Sequence, residues 1–474
     1  MTDTTGNGQL TEFGYRQELR RGVGLADLVF YGLIFMVPIA PFAIFGQVFQ
    51  VSNGMPVLAY AVGLVALLFT AASYAQMVKA FPLSGSVYNY AGRGIGAPVG
   101  FITGWAILLD YILVPGLLYL IASLTMNAAI PEVPFWAWLI IFVGANTLIN
   151  LRGIKMTANF TKIMIIAELI VLVLFLGVGI TALVQGKGHG FSWDPVFSSS
   201  AFTWGVLGAA VSVAVLSFLG FDGIAMLVEE SRGGSTDVAR AMRWALGLAG
   251  LLFIAQVWVA ALLVQDPAGL ITNGDPDGVA FYDAAGVAGG NWLAKTTLIA
   301  TGIAWGIADT LVAQVAISRL LYAMGRDKQL PTFLARISPK RAVPSNAIIT
   351  VAVISLALVF YMHSREDGGI ALMSGMINMG AMVAFVILHL SVIVHYVVKK
   401  RSGNLWGHLV VPLIGAGILI YVIINANILA QWVGGVWILL GLLILGGLYA
   451  VGNRPTLEGL ATDRETATPE SANV

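Results

Sequence analysis

Four carboxyl side chains, Asp110, Glu168, Asp222 and Asp309, stand inside long apolar runs of this sequence. Asp110 lies about ten residues into its run, roughly 15 Å along a helix at 1.5 Å per residue. Asp309 precedes Arg319 by ten residues, and Glu168 follows Lys162 by six. Asp222 sits in the middle of "SFLGFDGIAMLVEE". No lysine or arginine stands at comparable depth in these runs. A carboxylate in an apolar medium is expensive unless it is paired, bound to a cation or protonated. The chemistry this pattern suggests is the holding and release of a positive charge: an organic ammonium, Na⁺ or H⁺. Each acid also has a plainer reading. Asp222 would accept bonds from unwound backbone, Asp110 would bond to Tyr111 or Tyr119 in helix packing, and Glu168 would be buried as a protonated structural group. Glu229 and Glu230, at the end of their run, suit ion pairs with Arg232, Arg240 or Arg93.

Other chemistries find no residues here. There is no cysteine, so disulfides and thiolate metal sites are excluded. His389 and His395 have no partners at metal-ligand spacing, and no nucleophile elbow or glycine-rich phosphate loop is present. A net charge of +1 gives no reason to expect nucleic acid as a partner.

The elements that must position these acids are hydrophobic on nearly their whole length. The 474 residues are 58% hydrophobic and 10% charged, against about 25% charged in a soluble globular protein. Windows of about 20 apolar residues fall at about 25–50, 56–79, 98–129, 134–151, 160–185, 203–230, 238–265, 291–324, 345–362, 370–398, 407–427 and 430–451. These predict an all-α polytopic membrane protein of twelve spans, with the lipid bilayer as its solvent. Placing the N-terminus inside puts 22 of the 25 Lys and Arg residues on the cytoplasmic side and leaves Lys187, Lys295 and Arg365 outside. By the positive-inside rule both ends are then cytoplasmic. Residues 1–19 and 453–474 read as disordered polar tails flanking one transmembrane domain, 20–452.

Two spans are interrupted. In "FMVPIAPFAIFG", Pro38 and Pro41 each remove a backbone N–H and disfavour the preceding turn, by about 3 kcal/mol in a helix interior. In span 6, Gly220, Asp222 and Gly223 weaken an otherwise apolar run. The interruptions lie about 180 residues apart, each in the first helix of a five-helix set. Matched breaks in two halves are a pointer to an inverted-repeat transporter with its site near the bilayer midplane. Two simple kinks are the plainer alternative. The repeats expected are about 25–185 and 203–398, with peripheral helices at about 407–451. The residues Val37, Pro38, Ile39, Ala40 and Pro41 at the first break, and Gly220 and Asp222 at the second, are candidates for lining that site. Phe218 and Phe221 flank the second break, and Trp305 lies on span 8. Aromatic faces there would attract an ammonium or simply pack.

Three motifs then meet a family. "FPLSGSVYNYAGRGIGAPVGFITGW" (81–105), "SFLGFDGIAMLVEES" (217–231) and "SRLLYAMGRDKQLP" (318–331) resemble, in this order, signature stretches of the amino acid–polyamine–organocation transporters. The texture is most similar to putrescine importers and amino acid permeases. The resemblance implies a leucine-transporter-type fold of five plus five inverted helices, with spans 1 and 6 broken. It also implies alternating access around a site lined by spans 1, 3, 6, 8 and 10. Amino acid carriers of this family usually have a glycine-rich break in span 1 that cradles a carboxylate; this chain has Val37-Pro38-Ile39-Ala40-Pro41. Putrescine importers carry an aspartate shortly after the break, where this chain has Ala43. Glu168 resembles a span 5 position where some proton-coupled relatives place a lysine in lieu of Na⁺, and Asp309 lies near the same ion position. Glu168 and Asp309 are therefore the candidate ion or proton coupling pair. The function expected is import of a small amine, polyamine or amino acid, coupled to H⁺ or Na⁺, with no other cofactor. A zwitterion permease or exchanger, or a transport-derived sensor, is the alternative. Oligomeric state is not legible.

Overall fold

The computed structural model describes residues 22–83, 86–152, 154–326, 330–338, 341, 343–365 and 369–452. The tails expected at 1–19 and 453–474 lie outside the described residues, as do Arg20, Arg21, Lys328 and Lys340 among the cations expected on the inner side. The described residues are predominantly helical and contain no strand, only one isolated parallel bridge between Val23 and Ser231. Among the described residues eleven helices are long and apolar enough to cross a membrane, and the pair Leu25–Met36 and Pro41–Val51, bent by 60°, makes a twelfth when taken as one broken span. The expected order of twelve is therefore observed, with boundaries shifted by a few residues.

Span 3 (Ala97–Ala129) is the axis of the bundle: 83% of its apolar window is buried, against 17% for span 12 (Ile428–Ala450). Without a hydrophobic drive between helices in lipid, such spans associate by packing and by specific polar contacts. Spans 3 and 12 show both. Trp105 and Trp437 stack with centroids 4.5 Å apart, and each indole N–H donates to the other residue's carbonyl, at 2.8 and 2.7 Å.

Span 1 stops at Met36 because Pro38 cannot continue it, and Pro41 starts the second half at the first helical position, which its fixed φ suits. Val37 between them adopts φ 51°, a conformation that strains a β-branched residue by about 1–3 kcal/mol. The carbonyl freed at Pro38 is taken by span 7 (Gly234–Leu263), where Gln256 Nε2 donates to it at 3.0 Å. Span 6 runs as helix Trp204–Ala214, tightens to a 3₁₀ turn at Val215–Phe218, breaks at Leu219–Gly220 and resumes as a 3₁₀ segment, Phe221–Leu227. Gly220 takes φ 102°, which a side chain would oppose.

Three features were not expected. A short amphipathic helix, Ser86–Gly94, joins spans 2 and 3, and two short helices, Pro267–Asn273 and Ala280–Gly289, lie between spans 7 and 8. Span 8, read as one regular helix, contains a π-helical turn at Ala304–Asp309 between Asn291–Ile303 and Thr310–Arg326.

Candidate functional site

The two breaks face each other. Phe35, in the last turn before the first break, lies against Gly220 at the second. Between them is a cavity of about 50 Å³, room for a few waters at about 10–15 Å³ each. Span 1 contributes Phe35, Met36 and Ala40. Span 3 contributes Asp110 and Tyr111, with Val114, Leu117 and Leu118 beyond them. Span 6 contributes Ser217, Gly220 and Asp222, and span 8 contributes Trp305, Asp309 and Ala313. Three carboxyls converge on one small space, and no Lys, Arg or His is among its lining residues.

The three acids differ in how they are held. Asp222 accepts from Tyr111 Oη at 3.1 Å and, at the long limit of 3.5 Å, from Tyr74 Oη; the backbone amides of Asp222 and Gly220 also interact with its carboxyl. The unwound backbone thus supplies donors that a continuous helix would have used internally. Asp110 and Asp309 are buried and make no hydrogen bond with any described residue. Asp110 faces Asp222 closely enough for their charges to interact. Hydrophobic residues supply most of the remaining lining, so the site pairs anionic groups with apolar walls.

Glu168, on span 5 (Ile154–Val184), stands behind this cavity and does not line it. It is buried, its Oε2 has no hydrogen-bond partner, and its charge interacts with that of Asp309. Among the described residues no group of three or more His, Asp or Glu is placed to hold a metal ion.

Several residues singled out in the sequence lie elsewhere. Of Val37, Pro38, Ile39, Ala40 and Pro41, only Ala40 lines the cavity. The other four are packed in the core, and the Pro38 carbonyl is bound to Gln256. Phe218 points away, against Tyr60 and Phe253 at 6.0 and 5.0 Å between centroids. Phe221 packs on Tyr74 and Phe385 at 5.8 and 5.7 Å. Both phenylalanines therefore build the core beside the break. Phe385 is the contribution of span 10 (Ile370–Lys399 with its π-helical end) to this packing, and no span 10 residue lines the cavity itself. Tyr119 bonds to Asn146, not to Asp110. Tyr111 is the residue the sequence reading missed as a holder of Asp222; its adjacency to Asp110 was the available signal.

Two sets of contacts flank the breaks. On the side where span 1 begins, Gly22 N and Val23 N donate to Glu230 O at 3.0 and 3.1 Å, and Arg232 N donates to Val23 O at 2.9 Å. This backbone clip ties the start of span 1 to the end of span 6. On the opposite side Phe42 stacks on Phe281 of the segment Ala280–Gly289, with centroids 3.8 Å apart, and Phe175 adds a third ring at 4.5 Å from Phe281.

The family model described as "Amino acid permease" matches residues 27–450. The low-affinity putrescine importer PlaP of Escherichia coli (strain K12) is 32% identical over 443 residues, covering 91% of this chain and 94% of that protein. The branched-chain amino acid permease BcaP of Bacillus subtilis is 26% identical over 465 residues, and the methylthioribose transporter of the same organism is 25% identical over 462. Each covers 90% of this chain.

Proposed function

This chain belongs to the amino acid permease family, and from that premise we propose that it imports a small organic amine across the cell membrane by proton-coupled symport. The observation that carries this reading is the convergence of Asp110, Asp222 and Asp309 on one cavity whose lining holds no basic residue. An ammonium group supplies the missing positive charge, and cation–carboxylate hydrogen bonds in a low dielectric are among the strong ones. The apolar remainder of the lining suits a methylene chain. Asp222, already oriented by Tyr111 and the Gly220 turn, is the anchor; Asp110 and Asp309 are the acids left for a second ammonium or for protons. The activity of its relative PlaP, putrescine import, supports an amine of this kind.

For coupling, Glu168 and Asp309 act as one unit. Two neighbouring buried carboxyls cannot both carry charge cheaply, so a proton taken up by the pair is shared between them. Because Asp309 also faces the cavity, arrival of an ammonium there changes how tightly that proton is held, which is the linkage symport requires. Import then proceeds by alternating release of the two covers: the Phe42–Phe281 stack opens to the outside, and the backbone clip at Val23 and Glu230 opens to the cytoplasm. The distribution of Lys and Arg supports cytoplasmic termini.

One observation favours a second reading, a zwitterionic amino acid. Trp305 Nε1 is buried without a partner in a residue that lines the cavity, and it could donate to a carboxylate. Uptake of radiolabelled putrescine and of radiolabelled leucine into proteoliposomes, with and without an imposed acid-outside gradient, separates the two. Saturable putrescine uptake stimulated by the gradient is expected. Leucine uptake with no response to putrescine would overturn the amine assignment, and uptake indifferent to pH would overturn the coupling.

A further inference from the structure

The geometry points to Asn146, on span 4, as a positioning residue that pins the π-helical turn of span 8 so that Trp305 and Asp309 face the cavity; the inference rests on the reading of that cavity as the substrate site. A π turn inserts extra backbone into a helix and weakens the regular i→i+4 ladder, and such turns recur at functional sites. In a membrane the carbonyls it frees must be satisfied by protein. Two are. Thr310 Oγ1 donates to Trp305 O, and Asn146 Nδ2 donates to Gly306 O at 2.9 Å while also reaching Tyr119 Oη of span 3 at 3.2 Å.

The approach of span 4 (Phe135–Arg152) to this turn is intimate. A Cβ at Gly306 would come within 2.8 Å of the Phe142 ring, so glycine is what lets that ring lie against the turn. Asn146 is fully buried, and its Oδ1 has no partner. The amide is therefore kept for its N–H group, at the expense of an orphaned acceptor. Trp305 and Asp309 leave the same turn toward the cavity. Asn146 thus fixes, through one carbonyl, the backbone from which a cavity acid and a cavity indole are presented.

One turn along span 4 nature supplies the control. Asn150 Nδ2 donates to Leu311 O at 3.2 Å and to Gln314 Oε1 at 2.8 Å. These contacts join the same two spans but lie beyond the π turn. If the span 4–span 8 polar contacts only hold helices together, the two asparagines are equivalent; if Asn146 positions the turn, they are not.

The absence of native cysteine makes the test direct. Ala313→Cys places a single thiol in the cavity wall, and its rate of modification by 2-aminoethyl methanethiosulfonate, itself a primary ammonium, reports the arrangement of the turn without knowledge of the substrate. In the Ala313→Cys protein, adding Asn146→Leu is expected to change that rate at least fivefold, whereas adding Asn150→Leu is expected to leave it within twofold while lowering thermal stability. Equal effects of the two substitutions, or an unchanged rate in folded Asn146→Leu protein, would overturn the inference. Should Asn146→Leu not fold, Asn146→Ser shortens the reach and is read in the same way. Putrescine uptake by Asp222→Asn, which neutralises the anchor in the cavity lining, is run alongside. Normal uptake by that variant removes the cavity from transport, whereas lost uptake with an Asn146-independent labelling rate removes only the positioning role.

Discussion

Phe35 and Gly220 are in such close contact that a Cβ built on Gly220 would sit 1.7 Å from Phe35 Cδ1. The pair joins the two broken spans at the wall of the cavity, and Gly220 also holds φ 102° there. A side chain in the left-handed region costs about 1–2 kcal/mol before any clash, and here it must also displace an aromatic ring. Gly220→Ala is expected to lower the thermal unfolding temperature and to abolish uptake. Phe35→Ala should restore part of the stability in the double variant, because the obstructing ring is gone. Additive losses in the two single and the double variants, measured by thermal unfolding in detergent, would show that the contact does not couple the breaks.

The anchoring of Asp222 is separable from its charge. Tyr111→Phe removes one donor at 3.1 Å and leaves the ring in place. A hydrogen bond to a charged group contributes about 1.5–3 kcal/mol, so substrate affinity should fall roughly tenfold to a hundredfold. Asp222→Asn removes the charge and is expected to reduce uptake far more while leaving the protein folded. Equilibrium binding and uptake of putrescine by the two variants check the order; equal, small effects would relegate Asp222 to a structural cap of the break.

Glu168 makes a sharper demand. As a shared proton site with Asp309 it should give uptake a pH dependence that Glu168→Gln flattens, because a neutral amide cannot exchange a proton with its neighbour. Initial rates from external pH 5 to 8, at fixed membrane potential, test this. A variant with the wild-type profile would leave Glu168 a structural group, which its buried position beside span 8 also permits.

The breaks and the acids were legible because each violates a local rule. Pro38 and Pro41 cannot continue a helix, and Asp110, Asp222 and Asp309 cannot face lipid. What side chains do near a break was not legible. Phe218 and Phe221 flank Gly220 in sequence, yet 3₁₀ geometry turns both into the core. Pro38 was expected to line the cavity, and its carbonyl is instead bound to Gln256, 218 residues away; no local signal marks that partner. The π turn carries one weak helix former, Gly306 in "AWGIAD", but single glycines also stand inside regular spans such as span 3, so it does not by itself mark a π turn. Its cause is tertiary: Phe142 and Asn146 meet Gly306 from another span.

The segment between spans 7 and 8 offers a test of pH dependence outside the membrane. Asp275 caps the helix Ala280–Gly289, accepting from Val279 N at 2.9 Å and Ala280 N at 3.1 Å, and packs against Gly46 of span 1. Burial is the largest influence on its carboxyl and raises its pKa above the usual carboxylate range; the two amides oppose that, and the charges of Asp283 and Asp277 add to it. A carboxyl that binds its proton more tightly when folded contributes stability that is fully present below the ordinary carboxylate range and is lost as pH rises through its raised value. The seat of this segment on span 1 should therefore loosen with rising pH over that window. Asp275→Asn keeps one of the two acceptor oxygens and cannot ionise, so whatever protection the segment retains in that variant should not decline there. Hydrogen-exchange protection of the amides in 279–289, compared between the two proteins across the window, decides the matter. Parallel profiles would mean that ionisation of Asp275 does not set how this segment seats on the second half of span 1, Pro41–Val51.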